Sequence, residues 1–189
     1  VGTYGAANAL TFTLGSYDIS LNDTDPGLVL DYSKILPDDQ DFNLDLGDSV
    51  TVDLFKIWTD ETHVNADDQV SKPIGVDLSF TAPPPPYGDS VDGNTLGISL
   101  LSGLAQSGLV VWNGPVTIGF GSGGELIAEL SDEIFNEGFL GLNEGYYKGA
   151  TVQLTLTYQT APVPEPSTML LLGAGLLGLV GFGRKFRKE

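Results

Sequence analysis

The chain has 189 residues, 41% of them hydrophobic, and sets 25 acidic residues against eight basic ones for a formal net charge of −17. That length supports one domain with a buried core and a short appendage. The lack of cysteine excludes a disulfide framework, thiolate zinc sites and cysteine nucleophiles, and the acidic balance excludes nucleic acid and anionic lipid headgroups as partners of the body, because phosphate binding needs clustered Lys and Arg.

The charge is unevenly placed. Arg184, Lys185, Arg187 and Lys188 fall within the last six positions, which leaves residues 1–166 with 24 acids against Lys34, Lys56, Lys72 and Lys148, a net −20. The chain opens at Val1, and a secretory leader is expected to have been removed.

Taken in chain order, the stretch LTFTLGSYDISL puts Phe12 and Leu14 on one parity and Tyr17, Ile19 and Leu21 on the other. A β-bulge at Gly15-Ser16 would restore a common inward face. Asp25-Pro26-Gly27 reads as a turn with Pro and Gly at its centre. Strands follow over 28–35, 50–58 and the alternating run Val76, Leu78, Phe80. Pro83 to Tyr87, PPPPY, is expected to be an extended polyproline II segment, either a stiff connector or a PxxP ligand. A strand over 96–101 precedes LVVW-NG-PVTIGF, which reads as a hairpin because Asn113-Gly114 supplies the positive φ values of a two-residue turn. Its register pairs Val111 with Val116 and Leu109 with Ile118. Strands over 125–130 and through Val152, Leu154, Leu156 and Tyr158 complete the body. No helical periodicity of comparable strength occurs before residue 167. The expected fold is therefore all-β, an antiparallel β-sandwich of jelly-roll or immunoglobulin-like type over 1–160, with a single C-terminal transmembrane helix.

Residues 161–166, APVPEP, form an extended linker. Residues 167–183 carry no charge, and a helix of that length spans about 25 Å, enough to cross a bilayer with local thinning and snorkelling of the flanking bases. The basic cluster Arg184, Lys185, Arg187 and Lys188, over 184–189, then faces the cytoplasm and the acidic domain stays outside.

Pro164-Glu165-Pro166, the apolar segment and the terminal basic cluster, in that order, resemble the PEP-CTERM sorting signal of exported proteins in Gram-negative bacteria. The resemblance implies that a membrane-embedded exosortase cuts near Pro164 to Pro166 and passes the domain to the cell surface, extracellular matrix or biofilm polysaccharide. The chemistry belongs to the exosortase. Thr62-His63-Val64-Asn65 is similar to the motif of the THxN family of PEP-CTERM proteins, for which no activity is implied.

No catalytic residue is assigned. His63 is the only histidine, and no G-x-S-x-G elbow accompanies it; Thr62, His63 and Asn65 read as a loop-closing motif whose Thr and Asn side chains bond nearby backbone and whose imidazole donates to a carbonyl. The acidic groups Asp23 and Asp25, Asp38, Asp39 and Asp41, and Asp67 and Asp68 raise calcium as an alternative, but NDTDPG lacks EF-hand spacing, so a solvated acidic surface with no cofactor is the reading adopted. Such a surface meets anionic polysaccharide only through bridging divalent cations. A carbohydrate-binding module or carbohydrate-active enzyme, using an acidic pair and Trp58 or Trp112, is the other reading of the body.

Overall fold

The computed structural model describes residues 9–162, and within them regular structure is almost entirely strand. Eleven strands run in chain order: β1 (Leu10–Ser20), β2 (Asp31–Lys34), β3 (Gln40–Leu44), β4 (Ser49–Trp58), β5 (Lys72–Ala82), β6 (Tyr87–Leu100), β7 (Ala105–Trp112), β8 (Val116–Phe120), β9 (Gly124–Leu130), β10 (Glu133–Phe139) and β11 (Ala150–Thr160). Helix among the described residues is confined to two single turns, Leu101–Gly103 and Tyr146–Lys148. The linker from Val163 onward, Pro164 to Pro166, the expected transmembrane helix and the basic cluster lie outside the described residues. Among the described residues no helix is long and apolar enough to cross a membrane.

The strands form two antiparallel sheets, a six-stranded one in the order β10-β7-β6-β5-β1-β3 and a five-stranded one in the order β2-β4-β11-β9-β8. Period-two patterning produces the shared core. Val76, Leu78 and Phe80 of β5 and Val152, Leu154, Leu156 and Tyr158 of β11 are all buried, while Asp77, Ser79 and Thr81 point to solvent. Phe12 of the first sheet meets Phe120 and Tyr158 of the second edge-on, each pair with ring centroids 5.2 Å apart. Such aromatic pairs add about 0.5–1.5 kcal/mol each beyond their buried area. Tyr17 of β1 reaches across to β4, its hydroxyl donating to Leu54 O at 2.7 Å and also to Leu36 O at 3.0 Å.

The bulge expected in β1 is present: the register to β5 shifts between Leu14 and Ser16, so Phe12, Leu14 and Tyr17 are all buried despite their different parity. Several other expectations require correction. Residues 28–35 shrink to Asp31–Lys34 as strand, with Leu28 and Leu30 buried outside the ladder. The 96–101 strand is the end of the 14-residue β6, which starts at Tyr87, and Leu101 already belongs to a turn. Pro83 to Pro86 are the expected connector, here between β5 and β6, but bent at 83–85 in place of an extended rod, and closed by the Phe80↔Tyr87 pair, whose rings stack at 5.4 Å.

The Asn113-Gly114 hairpin does not form. β7 pairs with β6 and β10 in one sheet, whereas β8 pairs with β9 in the other. The cause is Pro115: in a two-residue turn the residue after Gly114 must donate its N–H to the carbonyl of Trp112, and proline has none. Trp112 N–H instead donates to Asp132 Oδ1 at 2.8 Å and its indole N–H to Ser131 O at 3.0 Å. The inward face of β7 is accordingly Gln106, Gly108, Val110 and Trp112, and Val111 is exposed.

Candidate functional site

Two long connections meet at one edge of the body: residues 21–30 between β1 and β2, and residues 59–71 between β4 and β5. The second is anchored at every stage. Thr59 N–H donates to Asn136 Oδ1 at 3.0 Å, Thr59 O accepts from Gly145 N–H, and Thr62 O accepts from Leu142 N–H at 2.8 Å. Val64 N–H donates to Gln106 Oε1 at 2.6 Å. Asn65 N–H donates to Asp68 Oδ2 at 2.5 Å and Gly97 N–H to Asp68 O at 2.7 Å, which docks the loop on β6. Gly97 is required there, since a Cβ would sit 2.8 Å from Val64 Cγ1 and 3.2 Å from Asp68 Cβ.

Side chains of the second loop in turn hold the first. Glu61 Oε1 accepts Val29 N–H at 2.7 Å, and Asp67 Oδ2 accepts Gly27 N–H at 3.3 Å, with Gly27 at a φ of +106° in the Asp25-Pro26-Gly27 turn. The result is a cleft lined by Asp25, Val29, Asp31, Asp60, Glu61 and Asn65, with Asp68 beneath it. A carboxylate oxygen from each of Asp25, Glu61 and Asp68 lies within 4.8 Å of the other two. Asp25 is exposed, Glu61 is half-buried, and Asp68 is 1% exposed.

Asp68 was expected to belong to a solvated acidic face, and its burial overturns that expectation. The backbone donors of Asn65 and Gly97 pull it inward. Burial also pushes the Glu61 carboxyl above the usual carboxylate range; the Val29 N–H opposes this, and the negative charge of Asp68 reinforces it. No lysine answers the cluster: among the described residues the two ion pairs both belong to Lys34, with Asp18 and Asp38. Asp23, Asp38, Asp39 and Asp41 stay outside it. Glu61 escaped the sequence reading because no spacing rule links it to Asp25.

Of the Thr62-His63-Val64-Asn65 motif, Thr62, His63 and Asn65 are exposed and Val64 packs on the core. Thr62 Oγ1 and His63 Nδ1 are 3.0 Å apart. The loop is closed by the backbone groups of Thr62, Val64 and Asn65, and the Asn65 side chain faces the acidic cleft. Trp112 is buried; Trp58 is half-buried and meets Tyr146 edge-on at 5.1 Å. Tyr147, beside Tyr146, is 92% exposed, and Gly145 between these tyrosines and the loop approaches Asp60 of the cleft rim. Two further clefts, beside Trp112 and beside Tyr32, each hold two carboxylates and, among the described residues, gather no third.

Residues 162–188 match the family model for the PEP-CTERM protein-sorting motif. The match supports an exported protein directed to an exosortase. No curated protein and no solved structure matches the chain.

Proposed function

We propose that the protein is a non-enzymatic cell-surface or extracellular-matrix component of a Gram-negative bacterium, processed by an exosortase after an apolar helix over 167–183 has held it in the inner membrane. The observation that carries this reading is the sorting-motif match over 162–188, which takes in Pro164-Glu165-Pro166, the uncharged segment and Arg184 to Lys188 together. In the same reading the body is a β-sandwich of jelly-roll or immunoglobulin-like type, supported by the way the early strands alternate between the two sheets. Thr62, His63 and Asn65 mark it as one of the THxN group, with a structural loop in place of a catalytic one. Two features support the absence of catalysis: His63 bonds its neighbour Thr62, and Asp68 lies too deep to touch a substrate.

Intact mass of the protein from a host with its exosortase, compared with the same host lacking the enzyme, tests the proposal. A shorter chain in the first and an uncut, membrane-associated one in the second are expected, and Pro164→Ala with Pro166→Ala should leave the chain uncut in both. Identical masses in the two hosts would refute processing. A second reading, a carbohydrate-binding module, draws on exposed Tyr147 next to Tyr146 and the cleft, since aromatic faces with nearby polar groups suit sugar rings. Tyr147→Ala should then abolish retention on matrix polysaccharide, and unchanged retention removes that reading.

A further inference from the structure

We propose that Asp25, Glu61 and Asp68 form a calcium site that clamps the 21–30 connection to the 59–71 loop, a site independent of the sorting signal. The first support is the convergence of three carboxylate oxygens within 4.8 Å, drawn from two separate loops and, among the described residues, with no cation-bearing side chain paired to them. Acidic residues close together on a surface are common; the second and independent support is Asp68 itself. The residue is 1% exposed, Oδ2 is taken by the Asn65 N–H, and Oδ1 is buried with no hydrogen-bond partner among the described residues. An unpaired buried carboxylate oxygen is costly, and the Asp68 carboxylate faces Glu61 and Asp25, which repel it when all three are ionised. A cation among the three removes both penalties at once.

The donor set selects the ion. All the donors are hard oxygens, and no histidine or thiol joins them, which excludes the usual zinc and copper arrangements. Carboxylates converging from two loops, with further cleft oxygens and room for water, suit calcium, which takes six to eight oxygens, better than magnesium. Further oxygens line the same cleft on Asp31, Asp60 and Asn65, and the exposed Asp25 side leaves room for water. The Val29 N–H to Glu61 Oε1 bond and the Gly27 N–H to Asp67 Oδ2 bond already hold the loops in register, so binding orders little additional chain. With three carboxylates on loops, the affinity expected is that of extracellular modules, a Kd of about 10⁻⁴–10⁻³ M.

The alternative occupant of the gap is a proton shared between Glu61 and Asp68, and the test separates the two. The full-length chain is stripped with EDTA, and its melting temperature is followed by circular dichroism with 10 mM CaCl2, 10 mM MgCl2, or NaCl at matched ionic strength. Calcium should raise the melting temperature by about 3–10 °C over the NaCl control, with a smaller rise for magnesium. Calorimetric titration should give one ion per chain. Asp25→Asn, on the exposed rim, should cut the calcium shift at least threefold without altering the EDTA melting temperature. Asp68→Asn should abolish the shift while melting in EDTA at or above the native value, because its amide can donate toward Glu61 and still accept from Asn65. Asp45→Asn, an exposed acid on another loop, should leave the shift intact. The proposal is overturned if calcium stabilises no more than NaCl, if a shared proton alone accounts for the stability, or if Asp25→Asn and Asp68→Asn keep the full shift.

Discussion

Asn136 is the point at which the two sheets and the acidic loop depend on a single side chain. It is fully buried, sits in the bulge where the β10–β7 register shifts between Phe135 and Gly138, and holds a φ of +51°. Its Oδ1 accepts Thr59 N–H at 3.0 Å, and its Nδ2 donates to Asn143 O at 2.5 Å and Gly145 O at 3.2 Å. Asn136→Ala deletes all three bonds. Thr59 is itself fully buried, so its N–H finds no water and contributes about 1–3 kcal/mol of destabilisation. The two carbonyls lie on a more exposed segment and rehydrate, adding about 1 kcal/mol together. A left-handed backbone costs alanine about 1 kcal/mol more. The total of about 3–5 kcal/mol corresponds to a fall in melting temperature of roughly 6–20 °C. Asn136→Gly loses the same bonds without the backbone penalty, so it should lie about 1 kcal/mol above the alanine variant. Urea unfolding, read as midpoint and slope, measures both. A loss below about 1 kcal/mol for alanine, or equal losses for the two variants, would refute this account of the bulge.

Three further outcomes are expected. Gly108→Ala should destabilise by about 1–3 kcal/mol, since a Cβ there would lie 2.2 Å from the buried ring of Phe135, and a Phe135→Leu background should recover part of the loss in thermal melts. Burial, with the charge of Asp38 in support, pushes the Tyr17 phenol up to about 12, and burial raises Tyr87 and Tyr158 as well. A raised folded value means that the stability Tyr17 contributes is complete below the ordinary tyrosine value near pH 10 and is lost as pH rises toward about 12. The difference in 295 nm absorbance between the native chain and Tyr17→Phe should therefore appear only together with alkaline unfolding, and a reversible difference near pH 10 in the folded protein would contradict it. Removal of residues 163–189 should leave the midpoint and slope of urea unfolding unchanged, and a shift in either would show that the tail contributes to the core.

The most legible parts of the fold were the strands with unbroken period-two patterning. Val76, Leu78 and Phe80, and Val152 to Tyr158, announce which side faces inward because every residue between successive apolar ones is polar. The bulge in β1 was legible for the same reason: two parities of large apolar residues around Gly15 have one economical resolution. β3 and β10 were not, because QDFNL and EIFNEGF carry so few apolar residues that alternation does not rise above chance; it is pairing with β1 and β7 that makes them strands. The Asn113-Gly114 pair misled because a turn propensity was read without the donor that the next residue must supply. The acidic site was hidden by a different cause. Asp25, Glu61 and Asp68 come together only because the 59–71 loop docks on Gly97 and Gln106, a contact that depends on tertiary placement and leaves no local pattern.

The place of β11 connects the body to its address. β11 is the middle strand of the five-stranded sheet, paired from Ala150 to Thr157 with β4 on one side and from Leu154 to Thr160 with β9 on the other. Its last residue, Thr160, is held both by the ladder partner Glu125 and by a 2.6 Å bond from its hydroxyl to Glu125 Oε2. Two residues later Pro162, where the sorting-motif match begins, still packs beside Gly121. With a central strand as its last element, the described body has all of its buried core residues in place before the sorting segment starts. Cutting near Pro164 to Pro166 therefore removes no ladder bond and no buried side chain of the described body. In the proposed reading, fold and sorting motif are joined in sequence yet separable in energy, which is the physical condition for handing a domain from membrane to surface without unfolding it.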